Sequence, residues 1–599
     1  MCGIAGIQVS DNTKIHPETL DHLESALLHR GPDAQTHLVI NSTGLVVTRL
    51  AIVDLVRGDQ PLLSSNGSVL IANAEIYNAP ELREQFSNYL FRTDSDCEPI
   101  LPLYESYGLD FANHLRGMFA IAIFDQRTGQ LILSRDQFGI KPLYFVEGSD
   151  FFGFASELSS LLDAGLAKRE INDLSRSEFF QTKYVFGTKT IISQIHRVEP
   201  GETIVVEGGR IRQRRSGTTW PPHVEKNYRK KVHSVGWHSP ISLLKKFEKV
   251  IFNSVAAHLR ADVPWRLFYS GGVDSTVLMM AAREVSASGV SALTIGYDCG
   301  DAADESWDAL RLAHGAKVSC ERVEMSKNDF WNLAPSIVAA VDDPMADSAV
   351  LPLYMLGRET ARQGAKVAIC GEGADEIFGG YSRYRKATLP AFMRRHRARR
   401  GVFTGTPVST DRFAAWSGAL DNLEIAQQKL WSSPLQVLQA IDILQRLPNC
   451  LLIKLDRALM AHGVEGRTPF LDREVIEFSN EVPDTLRANP RRGKRLLRDW
   501  LAHAYPEAKP YARKRGFDVP VEEWMHERRE ELGTLVSAQP GIAQVVDKAT
   551  VKHVFDRCLR YDQPAWSLLF YALWHSHHIL QQSCEGDITA VLMQAAKVT

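Results

Sequence analysis

The chain has 599 residues, a formal net charge of −2 and a pI near 6.8, a balance that argues against a phosphate backbone or an anionic membrane as its main partner. At about 150 residues per domain, the length implies two to four domains, each able to bury its own core. The eight cysteines form no CxxC pair, which fits reduced thiols in a cytoplasmic protein rather than a disulfide framework or a zinc site. No apolar run approaches the ~20 residues of a membrane span, and no signal segment precedes Cys2.

The first two hundred residues run through short apolar stretches broken by turns, among them GLVVTRLAIVDL, SVLIANAEIYN, FAIAIFDQRTGQLILSRD and FFGFAS. Alternating and β-branched, they predict strands, with hairpins at DQRTGQ (125–130) and VEGGR (206–210). Consecutive strands with few helices between them predict a sandwich of antiparallel sheets flanked by helices, over residues 2–205. The segment 206–240 turns basic and proline-containing without a sustained period and reads as a linker. Helices predicted at 241–259, 274–288, 304–315 and 349–363 then alternate with strands at 266–269, 292–297, 317–323 and 366–370. That alternation predicts parallel strands with crossovers, a doubly wound sheet, in a domain spanning 241–599 that is mainly helical after about 385. Two basic clusters, RRHRARR (394–400) and RRGKRLLRD (491–499), stand out, and the first reads as a solvated surface. WHSHH (574–578), with apolar flanks LLFYALW and IL, reads as a packed helix rather than a metal site.

Three stretches carry chemistry. The chain opens MCGIAGI, and removal of Met1 leaves Cys2 with both a thiol and a free α-amine. An α-amine titrates near ~8 and can take the thiol proton directly, which makes a compact nucleophile and base. The stretch RLFYSGGVDSTVLMMAA (266–282) is a buried strand, a turn of Ser270, Gly271 and Gly272, then Asp274 and Ser275 opening an amphipathic helix. Backbone N–H groups in such a turn approach an anion, so phosphate is expected here, although the Walker pattern is absent. Asp274 repels phosphate unless a divalent cation lies between them, which implies Mg2+. The stretch VAICGEGADEIFGGY (367–381) repeats the form with Glu372, Asp375 and Glu376. Two such turns at strand C-termini of one open sheet mark a ligand site, where Asp274 and Asp375 share the metal and Glu372 is left as a base. Taken singly, each turn also suits ordinary helix capping.

With these stretches go HRGPDA (29–34), RLAIVDL (49–55), NAEIYN (73–78), SDCE (95–98), GMFAIAIFD (117–125) and RDQFGIKPLY (135–144). Further on come DDPMADSAVLP (342–352), KLDRALMAHGVEGRTPFLD (454–472) and KRGFDVP (514–520). In this order, from residue 2 to about 525, the chain resembles the glutamine-dependent asparagine synthetases. The resemblance implies an N-terminal-nucleophile glutaminase of class II type followed by an ATP-pyrophosphatase domain. It implies that Cys2 attacks the glutamine side-chain amide and that Arg49, Asn73, Glu75 and Asp96 hold glutamine, Arg49 at the carboxylate and Asp96 at the amine. Asn73 and Ala74 would then serve the oxyanion. In the second domain it implies that Ser270, Gly271, Gly272, Asp274 and Ser275 hold the pyrophosphate end of ATP and that Tyr269, Ile295, Cys370 and Gly371 contact adenosine. Glu372 takes the general-base role and Lys514 stabilises the acyl-transfer transition state. The implied partners are glutamine, ATP and a carboxylate such as aspartate, with no nucleic acid and no membrane, in a homodimer. Ammonia made in one domain requires an internal passage to the other.

Where the family usually reads Asn-Gly-Glu, this chain has Asn73, Ala74 and Glu75. If the backbone there needs a positive φ, alanine costs about 1 kcal/mol and turns an oxyanion donor away, so weak glutaminase activity is the expectation in that case. No motif names the acceptor: aspartate leads, another small carboxylate follows, and an intramolecular amide-forming synthetase is the third reading. Retention of Cys2 favours ammonia as nucleophile. A non-enzymatic protein has little reason to keep Cys2, Arg49, Asp96, Asp274, Glu372, Asp375 and Lys514 together.

Overall fold

A computed structural model describes residues 2–10, 13–216, 240–298, 304–394, 400–404, 414–512, 519–558 and 563–596. The N-terminal part is a sandwich of two six-stranded antiparallel sheets. One contains β1 (Cys2–Val9), β2 (Ala34–Ile40), β3 (Thr43–Arg49), β8 (Tyr144–Glu147), β9 (Phe151–Ala155) and β10 (His196–Arg197), in the order β10-β8-β9-β1-β3-β2. The other contains β4 (Leu62–Leu63), β5 (Ser68–Ile76), β6 (Gly117–Asp125), β7 (Gln130–Arg135), β11 (Thr203–Glu207) and β12 (Arg210–Arg215), in the order β12-β11-β7-β6-β5-β4. Ile4, Val47, Ile71, Phe124, Leu133 and Phe154 fill the space between them. The opposite face of β1 is also covered, by Leu20, Leu23, Leu158 and Leu161, so every residue of that strand is buried. A run buried on both faces reads as continuously apolar, which is why MCGIAGI lacks the alternation of a half-exposed strand. Both predicted hairpins form, as β6–β7 and β11–β12. Strand β12 pairs along β11 as far as Arg215, so the sandwich extends into the segment read as linker; residues 217–239 lie outside the described residues.

The second part holds a parallel sheet of β13 (Trp265–Phe268), β14 (Ser291–Tyr297), β15 (Ser319–Met325), β16 (Val367–Ile369) and β17 (Glu465–Arg467), ordered β15-β14-β13-β16-β17. The chain starts at β13 and builds outward first to one side and then to the other. The switch point therefore falls between β13 and β16, whose C-terminal ends carry the two glycine turns. The strand β17, only three residues long, returns to the sheet after a helical excursion of almost a hundred residues, from Ile369 to Glu465.

Helices dominate after residue 385, including the helix Gln563–His578 that contains WHSHH. Trp566, Tyr571 and Trp574 on it are fully buried, and its rings meet Phe179 and Phe180 of the sandwich domain. His575 and His578 are buried there too, and burial pushes them down to about 4 and about 3, so both are neutral packing residues. Of the RRHRARR cluster, 395–399 lie outside the described residues.

Candidate active sites

Antiparallel pairing of β1 with β3 sets Cys2 directly opposite Arg49. Gly3 follows Cys2 because a Cβ at that position would stand 2.5 Å from Thr48 Oγ1 and 2.8 Å from Leu27 Cβ. On the facing sheet, Asn73 of β5 accepts the Cys2 N–H at Oδ1, 3.2 Å away. Its Nδ2 is buried and has no protein partner among the described residues, which leaves a donor close to Cys2. Ala74 lies within β5, paired with Phe119 of β6, and its φ is not positive. The extended backbone suits alanine, so the conditional expectation of a weakened glutaminase loses its premise.

Burial pushes the Cys2 thiol up, while the Leu50 N–H and the Arg49 charge pull it the other way. Arg49, itself buried, gives Nη1 to Asp59 at 2.7 Å and Nη2 to the Asp54 carbonyl at 2.6 Å. Asp96 accepts the Ile76 N–H at 2.6 Å, and Glu75 lies close enough for each charge to be felt by the other. Burial pushes both carboxyls up. A buried guanidinium, a buried carboxyl at Glu75 and a half-buried one at Asp96 supply the charges that an α-amino acid's carboxylate and ammonium would need.

At the switch point Gly271 takes φ +71, in the left-handed region, and Gly272 caps the helix Val273–Val285. The Ser270 and Ser275 hydroxyls lie 3.2 Å apart, and Thr276 Oγ1 donates to the Gly272 carbonyl at 2.7 Å, so side chains hold the turn open. Gly371 of the second turn brings its α-carbon beside Asp274, whose Cβ would be 3.5 Å from an added methyl. Tyr269, Ile295 and Cys370 sit at the ends of the neighbouring strands β13, β14 and β16 and are buried. Burial pushes the Glu372 carboxyl up, against the pull of Lys454. Asp274 and Asp375 are joined by the Lys494 ammonium, 2.5 Å from an oxygen of each. Burial opposes the charge on Lys494 and the two carboxylates more than offset it. Lys514 lies outside the described residues.

Comparison with known proteins places this geometry. A family model described as asparagine synthase matches residues 246–576, and one described as glutamine amidotransferase domain matches residues 1–216. A glutamine-hydrolyzing asparagine synthetase 1 of Bacillus subtilis (strain 168) is 30% identical, over 97% of this chain and 97% of its own. The chain belongs to the asparagine synthase family. A putative glutamine-hydrolyzing asparagine synthetase of Mycobacterium bovis is also 30% identical, over 98% of this chain and 99% of its own. The Amidase chyE of Penicillium rubens is 27% identical over 88% and 89%. The chain is an ATP-dependent, glutamine-hydrolysing amidotransferase of the asparagine-synthetase type.

Several stretches that mark the family meet at the boundary between the two domains. Arg30 of HRGPDA is fully buried and gives Nη1 and Nη2 to Asp456 of the KLDR segment at 2.8 and 3.0 Å, and Nη1 to Glu157 at 2.6 Å. Arg457 donates to Asp456 at 2.7 Å and to Asp342 at 2.6 Å, and Arg197 donates to Asp343 at 2.7 Å. Arg467 spans the same boundary: its carbonyl accepts the Cys370 N–H at 2.8 Å, and its Nη2 lies 2.8 Å from Glu75. A second partner, Glu465, lies 2.5 Å from the Arg467 Nε, and burial pushes the Glu75 carboxyl up against the pull of Arg467. One residue, through its carbonyl and its guanidinium, thus ties the second glycine turn to Glu75 of the sandwich.

Sequence reasoning passed over Lys494, Lys454, Asp347 and Arg467. Signals existed: Lys494 stands in the basic cluster 491–499, and the others in stretches that carry the family resemblance. What the sequence lacked was the fold of the helical region that returns them to the sheet.

Proposed function

We propose that this chain forms asparagine from aspartate, with ATP as the activating substrate and ammonia drawn from glutamine, releasing AMP and pyrophosphate. The observation that carries the reading is the buried boundary, Arg30 with Asp456 and Arg467 with Glu75, which locks the Cys2 end of the sandwich to the parallel sheet with its two glycine turns in one chain. Removal of Met1 frees the Cys2 amine, which takes the thiol proton as Sγ attacks the glutamine amide carbon. Arg49 holds the glutamine carboxylate, exchanging its contacts with Asp59 and the Asp54 carbonyl, while Asp96 and Glu75 hold the ammonium. Asn73 Nδ2 and the Ala74 N–H stabilise the oxyanion; ammonia departs and water cleaves the thioester.

In the second site an acceptor carboxylate oxygen attacks the α-phosphorus of ATP, and the bond to the β-phosphate breaks to release pyrophosphate. The ammonia nitrogen then attacks the acyl carbon, Glu372 takes a proton and AMP leaves. We assign the pyrophosphate to the turn Ser270–Ser275 with Lys494, adenosine to Tyr269, Ile295, Cys370 and Gly371, and transition-state charge to Lys514. A magnesium ion would be held by Asp274 and Asp375, where Asp274 Oδ1 is buried without a protein partner among the described residues, and it would take the place between them that the Lys494 ammonium now fills. When bound there, it supplies positive charge to the phosphate oxygens. Ammonia passes through the interior between the sites. A cytoplasmic location and a homodimeric assembly complete the reading, to be checked by fractionation and by light scattering.

Kinship with an amidase supports a second reading, the same chemistry on a different carboxylate. The experiment that separates the two measures pyrophosphate with ATP, magnesium and glutamine, with and without aspartate, while asparagine is quantified. Matched aspartate-dependent pyrophosphate and asparagine support the first reading. Intact glutamine hydrolysis without a response to aspartate overturns it in favour of the second.

A further inference from the structure

A cavity of about 640 Å³ lies at the boundary between the domains, and none of the residues assigned above to either reaction lines it. One wall comes from the sandwich, with Tyr77 just after β5, Arg116 just before β6 and Gln137 just after β7. The other comes from His258, the last residue of the helix Pro240–His258, and from the helix Arg473–Glu481. Phe119, Phe138, Leu471 and Ile476 supply its apolar surface. The charges along it are answered by protein groups. Arg116 Nε donates to Asp472 at 3.0 Å and Nη1 to Glu474, Arg473 Nε donates to Glu477 at 3.0 Å, and Glu481 pairs with Lys246. Arg135 gives its three nitrogens to the carbonyls of Lys141, Val198 and Gly139.

What is left over is hydrogen-bonding capacity. Tyr77 Oη, Arg116 Nη2 and Gln137 Nε2 are buried without a protein partner among the described residues. Buried polar atoms are paired in the large majority of cases, so three open donors around one cavity point to a bound acceptor. His258, only 2% exposed, adds the opposite capacity. Its Nδ1 donates to the Ser254 carbonyl at 2.8 Å, and burial pushes the ring down to about 3, so the imidazole is neutral and Nε2 presents a lone pair. That nitrogen has no hydrogen bond among the described residues, and the ring packs on Tyr77 with 4.0 Å between centroids. Three donors and one acceptor, in a cavity whose charges are already paired, match a carbonyl oxygen beside an N–H.

We propose that this cavity binds a small uncharged ligand, a carboxamide or lactam on a flat apolar body. The carbonyl accepts from Tyr77, Arg116 and Gln137, the N–H donates to His258 Nε2, and the body lies against Phe119, Phe138, Leu471 and Ile476. An ionised acid or amine is disfavoured, because it would enter without a counter-charge. The site also touches the joint between the domains. Arg467, which meets Glu75, gives Nη1 to the carbonyls of His258 and Arg260 at 2.8 and 2.7 Å, and Arg260 donates to the Tyr77 carbonyl at 2.8 Å. A ligand held by both walls favours one arrangement of that joint and so serves as an effector of glutamine hydrolysis.

The test is calorimetric titration of the full-length Cys2→Ala chain, with and without saturating glutamine and ATP. Benzamide and nicotinamide are compared with N,N-dimethylbenzamide, benzoate and benzylamine. The two primary amides are expected to bind with a Kd of about 1 mM or tighter whether or not the substrates are present. The three controls are expected to bind at least about tenfold more weakly, the worth of one hydrogen bond, and Gln137→Met and His258→Phe are each expected to weaken benzamide by about tenfold. In the wild-type chain benzamide should change kcat/KM for glutamine by about fivefold, and Gln137→Met should remove that effect while leaving the basal rate in place. No binding of either amide, equal binding of amides and controls, displacement by glutamine or ATP, or an affinity unchanged in both variants overturns the site. Binding as expected with glutamine hydrolysis unaffected overturns the effector role.

Discussion

Asp456→Ala probes the joint between the domains. The carboxylate accepts two hydrogen bonds from Arg30, at 2.8 and 3.0 Å, and one from Arg457 at 2.7 Å, and all three side chains are buried. Breaking a buried pair by removing one partner costs about 3–5 kcal/mol, because a charge stays behind without its counter-ion. Here each stranded guanidinium keeps a carboxylate, Glu157 at 2.6 Å for Arg30 and Asp342 at 2.6 Å for Arg457. The expected loss therefore lies near the lower end, about 3 kcal/mol. Urea unfolding followed by tryptophan fluorescence reads it, compared as shifts of one transition since a two-domain chain need not unfold in a single step. Because the charge penalty, not lost packing, dominates, Arg30→Met combined with Asp456→Leu should be more stable than Asp456→Ala alone. The same variant should form less amide per glutamine hydrolysed, since Arg30 also lies 3.4 Å from the Cys2 carbonyl. A loss below about 1 kcal/mol together with unchanged coupling refutes the account of the joint.

Cys2→Ala, or a peptide extension left ahead of Cys2, should lower glutamine hydrolysis by about a thousandfold or more while ammonia-dependent synthesis persists; hydrolysis surviving in Cys2→Ala removes Cys2 as nucleophile. Ala74→Gly should leave glutamine kcat within about threefold, since the backbone at 74 is already extended, and should cost about 0.5–1 kcal/mol of stability; a large gain in rate would show that alanine misdirects the oxyanion donor. Glu376 is buried, and burial, with Asp375 next, pushes it up to about 7. The folded chain thus binds more protons than the unfolded one between about pH 4 and 7, so the stabilising contribution is present below that window and is lost as pH rises through it. Glu376→Gln should flatten this dependence and stabilise the protein at pH 8 by roughly 3 kcal/mol in urea midpoints, and an unchanged slope between pH 5.5 and 8 would contradict the assignment.

The local signals proved strongest where one stretch of chain does its work alone. Strand alternation, the DQRTGQ and VEGGR hairpins and the strand-helix rhythm from 241 to 370 depend on neighbours in sequence, and each appears within a few residues of its expected place. The turn at Ser270–Ser275 belongs to the same class, because Gly271 needs its positive φ whatever surrounds it. Three outcomes turned on which strand pairs with which. Strand β12 continues a sheet where composition suggested a linker, because β11 offers an unpaired edge to a basic strand that can stay exposed on its outer face. Strand β17 is too short to carry a periodic signal, yet it closes the sheet and delivers Arg467 to Glu75. Ala74 looked costly as a departure from glycine, yet its backbone is extended, since it lies in β5 in register with Phe119. By itself the sequence determined the two folds and the family, because the stretches that carry the resemblance are fixed residue types at short spacings. Only tertiary structure decided which buried charges meet: Arg30 with Asp456, and Lys494 between Asp274 and Asp375. Coulombic partners are chosen by distance in space, and distance along the chain carries no record of it.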